Sequence, residues 1–331
     1  MKPLVETHPA ETAREVERLD LERVPPGRHR FAVRLVDGPA GAIRVPALVL
    51  RGRPTPGPRA PVVGILAALH GNELNGVAAI HRFFRDLDPS AIRGTVVAAP
   101  IANLPGFLRR HRRYPDGTDL NRVMPGRATG AEGEAYAARL LERVLAPIDA
   151  LVDLHTAGFG RINALHVRAD LDDAPTAALA AAMGLGLLVH APPADGTLRA
   201  AMRARRVPAL TVELGDPQIF DEAAVEAGRR GLLAVLGQLG VLEGAPAAPP
   251  PAPPITCRRS RWLFADAGGL LRVFAGRGAR VDKGQALAEL TDGWGQRLRT
   301  YRAPFAGVVI GLRTDPVCRT GARILQLGEI A

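Results

Sequence analysis

Four short apolar runs constrain the fold most: Val62 to Leu69, Gly94 to Ala99, Ala150 to Leu154 and Ala209 to Leu214. Runs of this length with little polar alternation read as strands covered on both faces. Between them lie stretches with helical periodicity, such as Gly76 to Leu87 and Glu132 to Leu145. Buried strands alternating with helices predict an α/β fold, a mixed and mostly parallel sheet flanked by helices. Upstream, His29 to Val36 and Ala42 to Arg51 read as a strand pair turned at Asp37 to Gly41, so residues 1–60 are expected to supply edge strands.

The run Glu243-Gly-Ala-Pro-Ala-Ala-Pro-Pro-Pro-Ala-Pro-Pro-Ile255 breaks this pattern. Proline fixes φ and lacks a backbone N–H, so the run suits neither helix nor sheet interior. It predicts a linker over residues 246–256 between a catalytic unit, residues 1–245, and a smaller unit, residues 257–331. A chain of 331 residues is long enough for two such cores. After the linker, short β-like pieces are punctuated by glycine: Gly268 to Val273, Gly278 to Gly284 and Ala303 to Ile310. This rhythm resembles the barrel-sandwich fold of biotinyl and lipoyl carriers. Where a carrier presents its modified lysine, this chain has Thr291-Asp-Gly-Trp-Gly-Gln-Arg297, and Lys283 sits in a different turn. A small all-β domain without a carrier lysine is expected, with a structural or homo-oligomerising role.

Charge and composition exclude several classes. The net charge of +10 is nearly all arginine, since Lys2 and Lys283 are the only lysines. The arginines form no stripe with interleaved aromatics, and only 4% of residues are aromatic, so no nucleic-acid partner is expected. The longest apolar runs are too short to span a bilayer, and the charged stretch Glu11 to Arg23 lacks the apolar core of a secretion signal. A cytoplasmic protein with no membrane partner is expected. Cys257 and Cys318 lie far apart with no Cys-x-x-Cys pair, which points to reduced bystander thiols.

His70 and Glu73 follow the first apolar run directly, in Leu69-His-Gly-Asn-Glu-Leu-Asn-Gly76. Three residues apart at the start of a helix, their side chains are expected on one face, where an imidazole and a carboxylate can share a metal. Alone, the pair is better explained as a solvent-facing pair at a helix N-terminus. His155 closes another apolar run, and the C-terminal ends of parallel strands converge on one crevice. Together the three make a His₂Glu set with an open fourth position, as catalytic zinc requires. Asp153 either orients a neighbouring imidazole or faces the other side of its strand. His81, His111, His166 and His190 lack the strand-end placement and read as surface or packing residues. In Arg112 to Arg122, Arg122 is suited to grip a carboxylate, Asn121 to add a donor, and a further arginine to polarise a carbonyl. Glu213, an acid within the apolar strand Leu210 to Gly215, is explained either as a base beside metal-bound water or as a structural salt bridge.

In this order, these residues resemble the succinylglutamate desuccinylase and aspartoacylase family of the zinc carboxypeptidase clan, over roughly Arg30 to Gly240. The resemblance implies a zinc carboxypeptidase-like fold and Zn²⁺ held by His70, Glu73 and His155. It places the carboxylate-binding pair on Asn121 and Arg122 and the catalytic glutamate on Glu213. The carbonyl-polarising arginine falls on Arg112 or Arg113, with Arg112 preferred. The implied activity is hydrolysis of a linear amide in a small N-acyl amino acid, releasing a carboxylic acid. The β tail resembles the bacterial branch that includes deacetylases of N-acetyl diamino acids. A zinc carboxypeptidase acting on peptides, or a non-catalytic zinc-containing binding protein, are the alternatives. Serine or cysteine chemistry is disfavoured: Ser90 and Ser260 lie in no Gly-x-Ser-x-Gly elbow, and both cysteines lie beyond the linker.

Overall fold

The computed structural model describes residues 12–39, 41–54, 59–242 and 253–330. The apolar runs become the strands Val62–Ala67, Thr95–Ala99, Ala150–His155 and Ala209–Glu213, each buried along its whole length. They sit together in one large sheet. From its N-terminal edge the order is Arg14–Val16, Gly27–Gly38, Gly41–Arg51, Thr95–Ala99, Val62–Ala67, Ala150–His155, Ala209–Glu213, His166–Ala169 and Leu187–His190. The four central strands run parallel, and antiparallel pairs flank them on both sides. The sheet is thus mixed with a parallel middle, and the strands Arg14–Val16, Gly27–Gly38 and Gly41–Arg51 lie at one edge of it.

Successive side chains of these strands alternate between two apolar layers, as the pleat dictates. Val63, Ile65 and Ala67 pack with Ile80, Phe83, Val225 and Leu232 of the helices Asn75–Asp86 and Glu222–Gln238. Val62 and Leu66 pack on the other face with Tyr136, Leu140 and Met202 of the helices Glu132–Arg143 and Leu198–Ala204. Gly76 lets the first of these helices approach closely, because a Cβ there would lie 2.6 Å from Cβ of Leu154. Asn75 fixes its start: Nδ2 donates to the Leu214 carbonyl at 2.8 Å, and Oδ1 accepts from the Asp221 N–H at 2.9 Å. The helix is therefore tied to the loop after Glu213. Among the described residues no helix is long and apolar enough to cross a membrane.

The C-terminal strands extend the large sheet. Ile255–Phe264 lies parallel to Leu187–His190, with Ile255 opposite Leu187, and is followed across the sheet by Arg323–Ile330, Gly307–Arg313 and Arg280–Val281. A second, four-stranded antiparallel sheet, Arg297–Arg302, Ala286–Thr291, Gly269–Val273 and Val317–Cys318, completes a small β region with its own core. Most of the expected linker lies outside the described residues, but Ile255 and Thr256, assigned to it above, are already in a strand. Cys257, Val308 and Ile310 share an apolar cluster with Ala164, Leu187 and Val189. Both cysteines are buried and unpaired. The hairpin tip between Ala286–Thr291 and Arg297–Arg302 carries Trp294, which is 93% exposed.

Candidate active site

The strands Val62–Ala67, Ala150–His155 and Ala209–Glu213 are parallel neighbours, so their C-terminal ends open on the same side of the sheet. His155 and Glu213 are the last residues of their strands. His70 and Glu73 lie just past the end of the third, in the turn before the helix Asn75–Asp86 and not on the helix itself. A turn, not a shared helical face, brings this pair together: the Glu73 N–H donates to the His70 carbonyl at 3.1 Å. Gly71 lets that turn form against the segment below, since a Cβ there would lie 2.2 Å from the Phe107 nitrogen.

The Glu73 carboxylate bridges the two imidazoles. Oε1 lies 2.9 Å from His70 Nδ1, Oε2 lies 2.8 Å from His155 Nδ1, and the two Nδ1 atoms are 3.1 Å apart. All three side chains are buried, and together they present one convergent group of metal-ligand atoms. Burial pushes the Glu73 carboxyl up, but His70 and His155 beside it outweigh this and hold it well below the usual carboxylate range. Burial pulls the His155 imidazole down, while Asp153 and Glu73 outweigh that and push it up. His155 Nε2 lies 2.7 Å from Asp153 Oδ2. Residues two apart on a strand share a face, so Asp153 orients the imidazole rather than pointing away from it.

Asp119 plays the matching part for His70. Its Oδ1 lies 3.2 Å from His70 Nε2 and accepts the Asn121 N–H at 3.0 Å, capping the turn Leu120–Arg122. Its Oδ2 accepts long bonds from Arg112, at 3.4 Å from Nε and 3.3 Å from Nη2. Burial pushes the Asp119 carboxyl up, but His70, Arg112 and the Asn121 N–H together hold it well below the usual range. Arg112 also donates from Nη1 to Glu73 Oε1 at 2.8 Å. Arg113 turns away and donates to the Gly117 carbonyl at 3.0 Å. Asn121 accepts the Leu198 N–H on Oδ1 at 2.8 Å, and the exposed Arg122 donates to the Asn121 carbonyl at 2.7 Å.

Glu213 stands opposite His155 in the parallel register and opposite His166 in the antiparallel one. Its Oε2 accepts from Asn163 Nδ2 at 3.0 Å. The nearest cation in ion-pair range is Arg168, 3.8 Å away and 45% exposed. An ion pair of that length and exposure contributes about 0–1 kcal/mol, too little to explain an acid in an apolar strand. His166 is buried and donates or accepts at the Ala164 carbonyl, 2.9 Å from Nδ1, so it is a packing residue.

A sequence profile of the succinylglutamate desuccinylase/aspartoacylase catalytic domain matches residues 59–239. The chain belongs to this family. N-alpha-acetyl-L-2,4-diaminobutyric acid deacetylase of Halomonas elongata is 28% identical, over 88% of this chain and 87% of that protein. The succinylglutamate desuccinylase/aspartoacylase of Rhodobacter sphaeroides is 26% identical and superposes with a TM-score of 0.83, covering 95% of this chain and 97% of that one. The product-bound ectoine utilization protein of Ruegeria pomeroyi is 25% identical with a TM-score of 0.82, covering 92% and 97% of the two chains. The likeness to this family thus extends through the C-terminal strands, beyond the catalytic domain.

Sequence reasoning missed two supports in this family member. Asp119 was visible only as part of a polar loop, and nothing local ties it to His70. Asn163 lies in the three-residue strand Arg161–Asn163, too short to show a period, and its partner is the remote strand Gly307–Arg313.

Proposed function

We propose that the protein is a zinc-dependent amidohydrolase that removes the acyl group from a small N-acyl amino acid. The observation that carries this reading is the convergence of His70, Glu73 and His155 beside Glu213 at adjacent strand ends. Two imidazoles and one carboxylate are a donor set that suits zinc with an open fourth position. Each imidazole has its far nitrogen beside a carboxylate, Asp119 or Asp153, which is the outer support such ligands need. Bound there, zinc would supply Lewis acidity and lower the pKa of a coordinated water to about 7.

The chain's own groups do the rest. Glu213 takes the proton of the attacking water and returns it to the departing amine. Asn163 holds that carboxylate by Oε2, and Oε1, with only a long contact to Arg168, serves this task. Arg112, anchored by Glu73 and Asp119, offers N–H to the acyl oxygen as charge develops on it. Asn121 has its Oδ1 engaged by Leu198, so its amide N–H₂ is the part left to face a ligand, and Arg122 grips the substrate carboxylate. A carboxylic acid and a free amino acid result. The deacetylase relative from Halomonas elongata favours such a small amide over a peptide.

Elemental analysis and an assay of amine release test the reading. One zinc per chain, absent from His70→Ala, and release from acetyl or succinyl amino acids are expected. A metal content unchanged by that substitution would reject the ligand set.

A further inference from the structure

A cavity of about 470 Å³ opens at the far end of the strand that Glu213 closes. Ala209, the first residue of that strand, lines it, and the rise along the strand sets Ala209 roughly 13 Å from Glu213. The volume lies within the range of about 300–1,000 Å³ usual for small-molecule sites. Two segments give its walls opposite charge. Arg199, Arg203 and Arg206 come from the helix Leu198–Ala204 and the turn after it, and Asp170, Asp172 and Asp173 come from the loop after the strand His166–Ala169. Among the described residues none of these arginines lies within ion-pair distance of any of these aspartates.

Arg199 is only 7% exposed, and its guanidinium has one hydrogen bond, from Nη1 to the Ala191 carbonyl at 2.6 Å. Burial and Arg168 pull its pKa down to about 10, against the opposing effect of Asp153, Asp170 and Glu213. A buried guanidinium that meets only a carbonyl is costly, and a carboxylate taking its other N–H groups would offset that cost. Arg203 lies four residues on in the same helix and so shares the face of Arg199.

The acidic segment keeps acceptors open. Asp170 Oδ1 accepts the Asp172 N–H at 3.3 Å, and Asp173 Oδ2 accepts the Thr176 N–H at 3.1 Å, so among the described residues the second oxygen of each has no partner. A metal does not suit this end, although Asp170, Asp172 and His190 group their ligand atoms closely. His190 Nδ1 accepts the Leu171 N–H at 3.1 Å, which puts the ring proton on Nε2, and Asp172 is already paired with Arg258. An ammonium group brings its own donors and fits the open oxygens of Asp170 and Asp173.

We propose that this cavity is a second binding site, apart from the active site, for the zwitterion of a free α-amino acid. The carboxylate meets Arg199 and Arg203, the ammonium meets Asp170 and Asp173, and the side chain rests on Val207 and Pro208. An anion alone would leave the aspartates unanswered, and a cation alone would leave Arg199 without a carboxylate. A ligand carrying both signs answers both walls.

The test is calorimetry on the full-length protein with L-leucine and with its two halves. Of these, 4-methylpentanoate lacks the ammonium and 3-methylbutylamine lacks the carboxylate. None of the three contains a cleavable amide, so the outcome does not depend on the proposed reaction. Leucine should bind, and each half should bind roughly 10- to 100-fold more weakly, the scale of a lost charged hydrogen bond. Asp173→Asn, which keeps the oxygen that caps its helix, and Arg203→Gln, at an exposed position, should each weaken leucine binding by a similar factor at an unchanged unfolding midpoint. Arg199→Gln should weaken it most, and the two exposed variants decide the matter if that buried change prevents folding. Arg122→Ala, in the cleft, should bind leucine as the wild type does. No leucine binding by the wild type, or binding that Arg122→Ala removes while Asp173→Asn and Arg203→Gln leave it unchanged, would overturn the inference. Equal affinity for leucine and 4-methylpentanoate would likewise reject the zwitterion.

Discussion

At the ends of the strands Val62–Ala67 and Ala150–His155, the polar groups are held more than once. Glu73 meets His70, His155 and Arg112, and Asp119 meets His70, Arg112 and the Asn121 N–H. Across the cleft, where the C-terminal strands approach, the contacts are single. Asn163 reaches Glu213 once, and among the described residues the Arg161 side chain has the face of Trp262 as its one polar or ring contact. A buried network satisfied from several sides is stiff, because moving one member strands the others. A wall built from single contacts on an added strand can change its side chains without disturbing that network. The contrast separates a polar network held from several sides from a wall held by single contacts.

The harshest way to break this comparison is to remove the second part. A chain ending at Leu242 loses the strand Ile255–Phe264, which uncovers Leu187 and Val189 and takes away the partner of Arg161–Asn163. Each uncovered large apolar side chain forfeits roughly 1.5–3 kcal/mol, against a total stability of about 5–15 kcal/mol. Aggregation or a strongly lowered unfolding midpoint is expected. A soluble, cooperatively unfolding product would show that residues 1–242 form an independent domain, the arrangement that the proline run suggests.

Next in size is Glu213→Gln, which keeps the side chain's volume and removes its basicity. Turnover should fall by about 10²–10⁴ with zinc content and fold intact, the scale of lost general acid–base help. A destabilised protein with near-normal turnover in its folded fraction would make Glu213 a structural residue. The stiff network is probed more gently by Asp153→Asn. Zinc affinity, measured by competition with a chelator, should weaken about 10- to 100-fold, because the imidazole of His155 loses its orienting carboxylate. An unchanged affinity would detach Asp153 from the site. Smallest of all, Arg168→Ala should change stability by no more than about 0.5 kcal/mol and leave turnover within a factor of about two, since its contact with Glu213 is long and half exposed. A large loss would revive the salt-bridge explanation of Glu213.

Local pattern was sufficient for much of the scaffold. The helical stretches Gly76 to Leu87 and Glu132 to Leu145 fold as Asn75–Asp86 and Glu132–Arg143, because their apolar periodicity is strong. The helices Ala174–Ala182 and Leu198–Ala204 were not read, since alanine-rich segments show little contrast between faces. The spacing of His70 and Glu73 predicted that their side chains meet, but on a helix face; they meet through a turn, because a tight turn can join residues three apart as well as a helix does.

What the sequence determined by itself is the set of buried strands, the helices with strong periodicity, the placement of His70 and His155 at or just past strand ends, and the placement of Glu213 in an apolar strand. These follow from periodicity and chain order, which are local properties. Tertiary structure alone decided that Asp119 serves His70, that Arg112 faces the cleft while Arg113 does not, and that Arg161–Asn163 pairs with Gly307–Arg313. Each of these depends on where a remote segment lands, or on which way a side chain turns once neighbours are in place. No periodicity along the chain encodes that information, because the contact is made by packing and not by spacing.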